Sequence, residues 1–168
     1  VSLVSATSVV KNIDLTKHSV NLIGITKEGK WFYQEESELN RIKEDEKATL
    51  QIKEKYPVVI VPAGSKQNAI QVETNGKYTN LYTDIVFPVL HGTFGEDGTI
   101  QGLFEMANVA YVGCTTTSSA LTMDKEKTKM VWQSLGLPVV PYVCMKRSTL
   151  LDSIVYDEFV KETVKEFG

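Results

Sequence analysis

The chain has 168 residues, 42% hydrophobic and 23% charged, with a formal net charge of −3. That length gives room for one domain or one and a fraction, and the composition is that of a globular protein, neither disordered nor collagen-like. The acidic balance excludes a general nucleic-acid binder, which would carry a basic face, and no apolar run approaches the ~20 residues that span a bilayer; a local anion site stays open.

In chain order, residues 1–13 place Leu3, Ala6, Val10 and Ile13 on one helical face. "SVNLIGI" (19–25) reads as a short buried strand. "TKEGKWFYQ" follows, with Glu28-Gly29 as a turn into an aromatic strand, Trp31 to Tyr33. Residues 35–55 are a dense mix of both charges and read as a solvated helix or loop without function. "PVVIVPAG" (57–64) is a strand closed by Pro62 and Gly64. Residues 68–83 hold Asn75-Gly76 between two alternating segments, the strongest short hairpin signal.

"TDIVFPVLHG" (83–92) reads as a central strand, and Ile100, Leu103, Phe104 and Ala107 make the next segment, 98–109, an amphipathic helix. "AYVGC" (110–114) is a short strand. Residues 122–138 read as a helix with Thr122 as N-cap, acids in the first turn, and Gly136 beyond its end. "VVPYVCM" (139–145) is a strand, and 151–168 a helix with Val155, Phe159, Thr163 and Phe167 on one side. Strands alternating with helices predict an α/β fold with a mostly parallel, Rossmann-like sheet flanked by helices. Cys114 and Cys144 make no disulfide framework; they read as reduced thiols buried as small hydrophobes. With no CxxC and two distant histidines, a structural zinc site is not expected.

The chemistry concentrates in "HGTFGEDGTIQG" (91–102), where one of only two histidines is followed by four glycines and a Glu-Asp pair. Parallel sheets bind ligands at the carboxyl ends of their strands, which puts His91 at the mouth of a site. Gly92, Gly95 and Gly98 can take conformations closed to other residues and let a ligand approach the main chain. The helix starting near Gly98 offers N–H groups to a carboxylate or phosphate. An imidazole beside that anion can be neutral or protonated. Asp97 reads as a helix cap, and Glu96 as either a cap or a group orienting ligand or loop. For His91 a satisfied core position remains the alternative. The glycines match neither a P-loop nor a dinucleotide fingerprint. Spacing therefore gives an anion-binding loop and no reaction.

The run "VFPVLHGTFGEDGTIQGLFEMANVAYVG", followed by "SSALTMDKEKTKMVWQSLGLPVVPYV", resembles the D-alanine–D-alanine ligase family. There an HG[PT]xGEDGxxQG loop precedes a YVG strand, an SALxMDK turn and a GLPVxP strand. The likeness is strong over 83–145 and weaker over 1–33, and 34–82 resemble the extra segment of longer members. It implies an ATP-dependent enzyme joining two D-alanines for peptidoglycan precursors. ATP phosphorylates the first D-alanine's carboxylate, and the second D-alanine's amine attacks the acyl phosphate.

The domain organisation so implied is an N-terminal ligase domain over 1–122, lacking its first strand, and the start of a central ATP-grasp domain over 123–168. The resemblance assigns His91, Gly92, Glu96 and Ser2 to the substrate pocket, with His91 as the catalytic residue, and Lys125 to the nucleotide phosphates. Lys127 and Lys129 read as surface residues. A glutamate for the substrate ammonium would precede Val1; most contacts to ATP and to Mg²⁺ (or Mn²⁺) would follow Gly168. The expected partners are D-alanine and ATP, with no nucleic acid and no membrane, in a cytoplasmic homodimer. A chain that starts at Val1 and stops at Gly168 in helix-like patterns reads as a piece of a longer polypeptide, inactive alone. The alternatives are a D-alanine–D-lactate ligase, which differs beyond Gly168, and a non-catalytic α/β ligand-binding domain.

Overall fold

The computed structural model describes residues 1–60 and 69–168. The strand end expected at Pro62 and Gly64 lies outside the described residues. Two compact units divide the chain, Val1–Met123 and Asp124–Gly168.

The first unit opens with helix α1 (Ser2–Asn12), followed by strands β1 (Leu22–Ile25) and β2 (Trp31–Gln34), helix α2 (Glu36–Glu44), and strands β3 (Tyr56–Ile60), β4 (Ile70–Thr74) and β5 (Lys77–Asn80). Helices α3 (Thr99–Met106) and α4 (Thr116–Met123) complete it. The five strands lie in the order of the chain, and every neighbouring pair is antiparallel. The α/β class stands, but the mostly parallel sheet does not. The reason is connection length: Gly29 closes a tight β1–β2 turn at φ 81°, whereas parallel neighbours need a crossover of about a dozen residues. The β4–β5 link is the Asn75-Gly76 pair, at φ 52° and 76°, with the Gly76 N–H donating to Glu73 Oε1 at 2.8 Å. Positive φ at both residues gives the primed turn that matches strand twist.

Residues 83–92 and 110–114 do not form strands. Their pairing is one parallel bridge, Val86 to Tyr111, closed by Val86 N–H to Ala110 O and Val112 N–H to Val86 O, both 2.8 Å. Pro88 has no N–H to extend that ladder. Val86 turns toward the sheet, while Ile85 and Phe87 on either side of it are exposed.

Leu22 packs into a cluster with Val10, Leu39, Ile42, Ala48 and Leu50, and its neighbour Ile23 into a second one around Val58, Ile70 and Val72. A strand sends successive side chains to opposite faces, so β1 serves both clusters. The first joins α1 to α2 and overturns the reading of 35–55 as merely solvated. Ile42 is fully buried, and so is Glu38, at 1% exposure. Glu38 is tolerated because Arg41 grips it with two hydrogen bonds, Nη2 to Oε1 at 2.6 Å and Nε to Oε2 at 3.0 Å. The Gln51 N–H also donates to Oε1 at 2.9 Å, and Arg41 Nη2 donates to Thr49 O at 2.7 Å, so the pair staples the 45–53 segment to α2.

Replacing Glu38 by alanine is expected to cost about 2–3 kcal/mol, the worth of charge-assisted hydrogen bonds removed together, measured by urea unfolding. The Arg41 guanidinium, against some cost of burial, holds the Glu38 carboxyl below the usual glutamate range. A depressed folded pKa means that its stabilisation is whole above ~4.3 and is lost as pH falls through the lower folded value. The stability difference between wild type and Glu38→Ala should therefore shrink on acidification below that range and stay flat above it.

In the second unit, α5 (Lys125–Ser134) precedes a 3-10 turn (Thr149–Leu151) and α6 (Ser153–Phe167). The N-cap of α5 is Asp124, whose Oδ1 accepts from Lys127 N–H at 3.0 Å, and not Thr122. Thr122 lies in the last turn of α4 and turns its hydroxyl back onto Ser118 O at 2.8 Å, as threonines in helices do. Gly136 follows α5 at φ 71°. No strand forms at 139–145; Pro141 lacks a ladder donor, and Lys129 Nζ instead donates to Val140 O at 3.3 Å and sits 4.4 Å from the Tyr142 ring centroid. Lys129 is thus a packing residue and not a free surface lysine. Cys114 and Cys144 are free thiols, and both are exposed rather than buried. No helix among the described residues is long and apolar enough to cross a membrane.

Candidate functional site

The His91 loop leaves the Val86 bridge and reverses direction within a few residues. Gly95 N–H and Glu96 N–H both reach back to Gly92 O, at 3.1 and 2.9 Å. Gly92 stands at φ 79° and Gly98, the N-cap of α3, at φ 91°. Phe94 also has positive φ, 69°, and is held by its N–H donating to Asp97 Oδ2 at 2.9 Å and by Ile100 N–H donating to its carbonyl at 3.2 Å. The interior of the loop is tied to α3 by Gln101, whose Nε2 donates to Gly95 O at 3.0 Å. A buried side chain that hydrogen-bonds the loop's backbone holds its shape without a ligand.

Asp97 also accepts from Thr99 N–H at 3.0 Å, one residue ahead of the N-cap Gly98, so it braces the turn into α3 and is not itself the cap. Its carboxyl is held below the usual aspartate range by the Phe94 amide first and by Thr99 next. Two of the first N–H groups of α3, those of Thr99 and Ile100, are thereby occupied within the protein. The helix start is less open to an external anion than the sequence suggests, and the weight of anion recognition shifts to side chains.

His91 supplies one. Its side chain is 45% exposed, so it is not a core histidine. Nδ1 lies 4.0 Å from Glu96 Oε1, and the other Glu96 oxygen accepts from Gly92 N–H at 2.5 Å. Nε2 lies 3.0 Å from the hydroxyl of Ser5, on α1. The structure thus brings His91, Gly92 and Glu96 together with Ser5. Ser2, the serine singled out by sequence, opens α1 and makes no side-chain hydrogen bond among the described residues. Only one signal pointed to Ser5: it lies one turn beyond Ser2 on the same helix. The rule that put His91 at the end of a parallel strand does not carry over to an antiparallel sheet. What places His91 is the loop's own bonding and the α1 contact.

Lys125 is the first residue of α5 in the second unit, between the cap Asp124 and Glu126. Among the described residues no group of three or more His, Cys, Asp or Glu is arranged to hold a metal ion.

Residues 1–114 match the domain family described as the D-ala D-ala ligase N-terminus. The D-alanine–D-alanine ligase of Treponema denticola is 50% identical over 149 residues, covering 88% of this chain and 39% of the relative. Among solved structures, the VanG D-Ala:D-Ser ligase of Enterococcus faecalis aligns with TM-score 0.69 and 36% identity over 95% of this chain and 44% of that one. The D-alanine–D-alanine ligase of Coxiella burnetii aligns with TM-score 0.70 and 26% identity over 96% of this chain and 44% of that one. The chain therefore spans about two fifths of the length of the relatives it matches. The family match spans well over half of the chain, and the chain belongs to the D-alanine–D-alanine ligase family through its N-terminal domain.

Proposed function

We propose that this chain is the N-terminal part of an ATP-dependent ligase that joins two D-alanines through an acyl phosphate, and that the His91 loop faces the carboxylate of the first. The observation that carries this is the juxtaposition of His91, Glu96 and Ser5 at an exposed, internally braced loop in a chain of this family. The first unit is read as the N-terminal ligase domain and the second as the start of the ATP-grasp region. The family reading brings with it a cytoplasmic homodimer.

In this reading a carboxylate oxygen of D-alanine attacks the γ-phosphorus of ATP and ADP leaves. The amine of the second D-alanine then attacks the acyl carbon, and phosphate departs with that oxygen. His91 stabilises negative charge at the reacting carboxylate, the kind of preorganised contact that is often the largest catalytic contribution. Glu96 and the Gly92 amide hold the loop that carries His91. ATP supplies the phosphoryl group; Lys125 is the residue of this chain assigned to its phosphates, and no residue here is assigned to Mg²⁺. The D-Ala:D-Ser activity in the name of the Enterococcus relative makes D-serine a second acceptor to test, beside D-lactate.

The test is a chimera in which this chain replaces the matching segment of a full-length D-alanine–D-alanine ligase. It is expected to release ADP and form dipeptide only when D-alanine is supplied. ADP release indifferent to D-alanine would contradict the proposal. Within the chimera, Lys125→Ala should weaken nucleotide binding about tenfold, roughly one charge-assisted contact, in a titration of the free enzyme with ATP, and leave D-alanine binding unchanged. Lys127→Ala is the control, since Lys127 pairs at the surface with Glu126; equal effects of the two substitutions would remove Lys125 from the site.

A further inference from the structure

Helix α1 carries four hydroxyl side chains, and the three beyond Ser2 bond differently. Thr7 and Ser8 turn back onto the carbonyls of Leu3 and Val4, at 2.6 and 3.3 Å, the common habit of such residues in helices. Ser5 does not; its Oγ lies 3.0 Å from His91 Nε2, across 86 residues of sequence. The other ring nitrogen faces Glu96, 4.0 Å away, and Glu96 is itself held by the Gly92 amide. The imidazole is therefore addressed at both nitrogens, from α1 on one side and from its own loop on the other.

A neutral imidazole has one donor and one acceptor nitrogen. The Glu96 carboxylate favours the proton on Nδ1, which leaves Nε2 to accept from the Ser5 hydroxyl. With the ring protonated, Nε2–H donates to Ser5 Oγ instead, and the hydroxyl hydrogen is released toward an anion in front of it. Either way the Ser5 oxygen fixes the ring plane, and its hydrogen follows the charge on His91.

We propose that Ser5 is a positioning residue: it sets the tautomer and orientation of His91 and so completes the face that receives the substrate carboxylate. The second half of this statement rests on the ligase reading; the first does not. Ser5→Ala is the informative variant because alanine is the best helix former, and Ser5→Thr restores a hydroxyl at the same place.

Two measurements separate the claims. Imidazole ¹⁵N spectra of the 168-residue chain should show His91 in a single Nδ1–H tautomer. Ser5→Ala should turn this into a mixture, Ser5→Thr should restore it, and His18 should be indifferent throughout. Unaltered His91 ring signals in Ser5→Ala would overturn the positioning role. In the chimera, Ser5→Ala should lower kcat by about 3- to 10-fold, the worth of one net hydrogen bond, with KM for ATP unmoved and Ser5→Thr recovering most of the rate. An unchanged kcat would overturn the catalytic half of the proposal. A chimera that makes no product even with Ser5 present would overturn the ligase reading, and with it that same half, while the ring spectra still decide the contact.

Discussion

His91→Ala in the chimera is expected to lower kcat by about 10²–10³, the cost of losing one preorganised donor at a developing oxyanion. The fold should be untouched. The ring is half exposed, and its contacts are one hydroxyl on α1 and one carboxylate 4.0 Å away, so no core packing goes with it. KM for ATP should change little, because loss of a contact made chiefly in the transition state appears in kcat. The check is steady-state kinetics and thermal melting on one preparation. A variant that melts early and keeps its rate per folded molecule would make His91 a structural residue.

Gly98→Ala should do the reverse, acting on stability first. Gly98 sits at φ +91°, and a Cβ there would stand 2.7 Å from the Thr116 carbonyl oxygen and 3.4 Å from Ala120. The first obstacle is backbone of the α3–α4 contact and cannot swing aside. A left-handed conformation costs an L-residue ~1–2 kcal/mol, and overpacking adds ~1–3 kcal/mol. A loss of about 2–5 kcal/mol in urea unfolding of the chain follows from the two together. Gly136→Ala is the matched comparison, since its φ is +71° with nothing within 4 Å of the added carbon; it should show the conformational cost alone. Equal losses in the two variants would mean that the α3–α4 approach does not constrain Gly98.

What the sequence made legible is what local chemistry decides. Asn75-Gly76 specifies its own turn, and the apolar stripes of α1 and α3 need only helical period to be seen. Sheet direction was not legible, because alternation of strands and helices fits either pairing until the short β1–β2 link is known to be a hairpin. The strand expected at 83–92 failed at Pro88, whose missing N–H matters only once a partner strand is being sought. Glu38 looked solvated because its neighbours are charged; its burial depends on Arg41 and on the Gln51 amide, which charge counting does not register. The site divides the same way. His91, Gly92 and Glu96 lie within six residues and were visible as one loop. Ser5 was not, since nothing in a helical serine announces a partner 86 positions away.

The central claim is that the His91 loop faces a carboxylate that becomes an acyl phosphate. Oxygen transfer tests it most directly. The chimera is supplied with ATP and D-alanine labelled with ¹⁸O in its carboxylate, and the phosphate released is analysed by mass. Breakdown of an acyl phosphate by an amine breaks the bond between the acyl carbon and the bridging oxygen, so the account predicts one labelled oxygen in each phosphate, and His91→Ala should slow the formation of labelled phosphate and of dipeptide together while the label carried by each phosphate stays the same. Phosphate released without label, at a rate indifferent to His91, would contradict it.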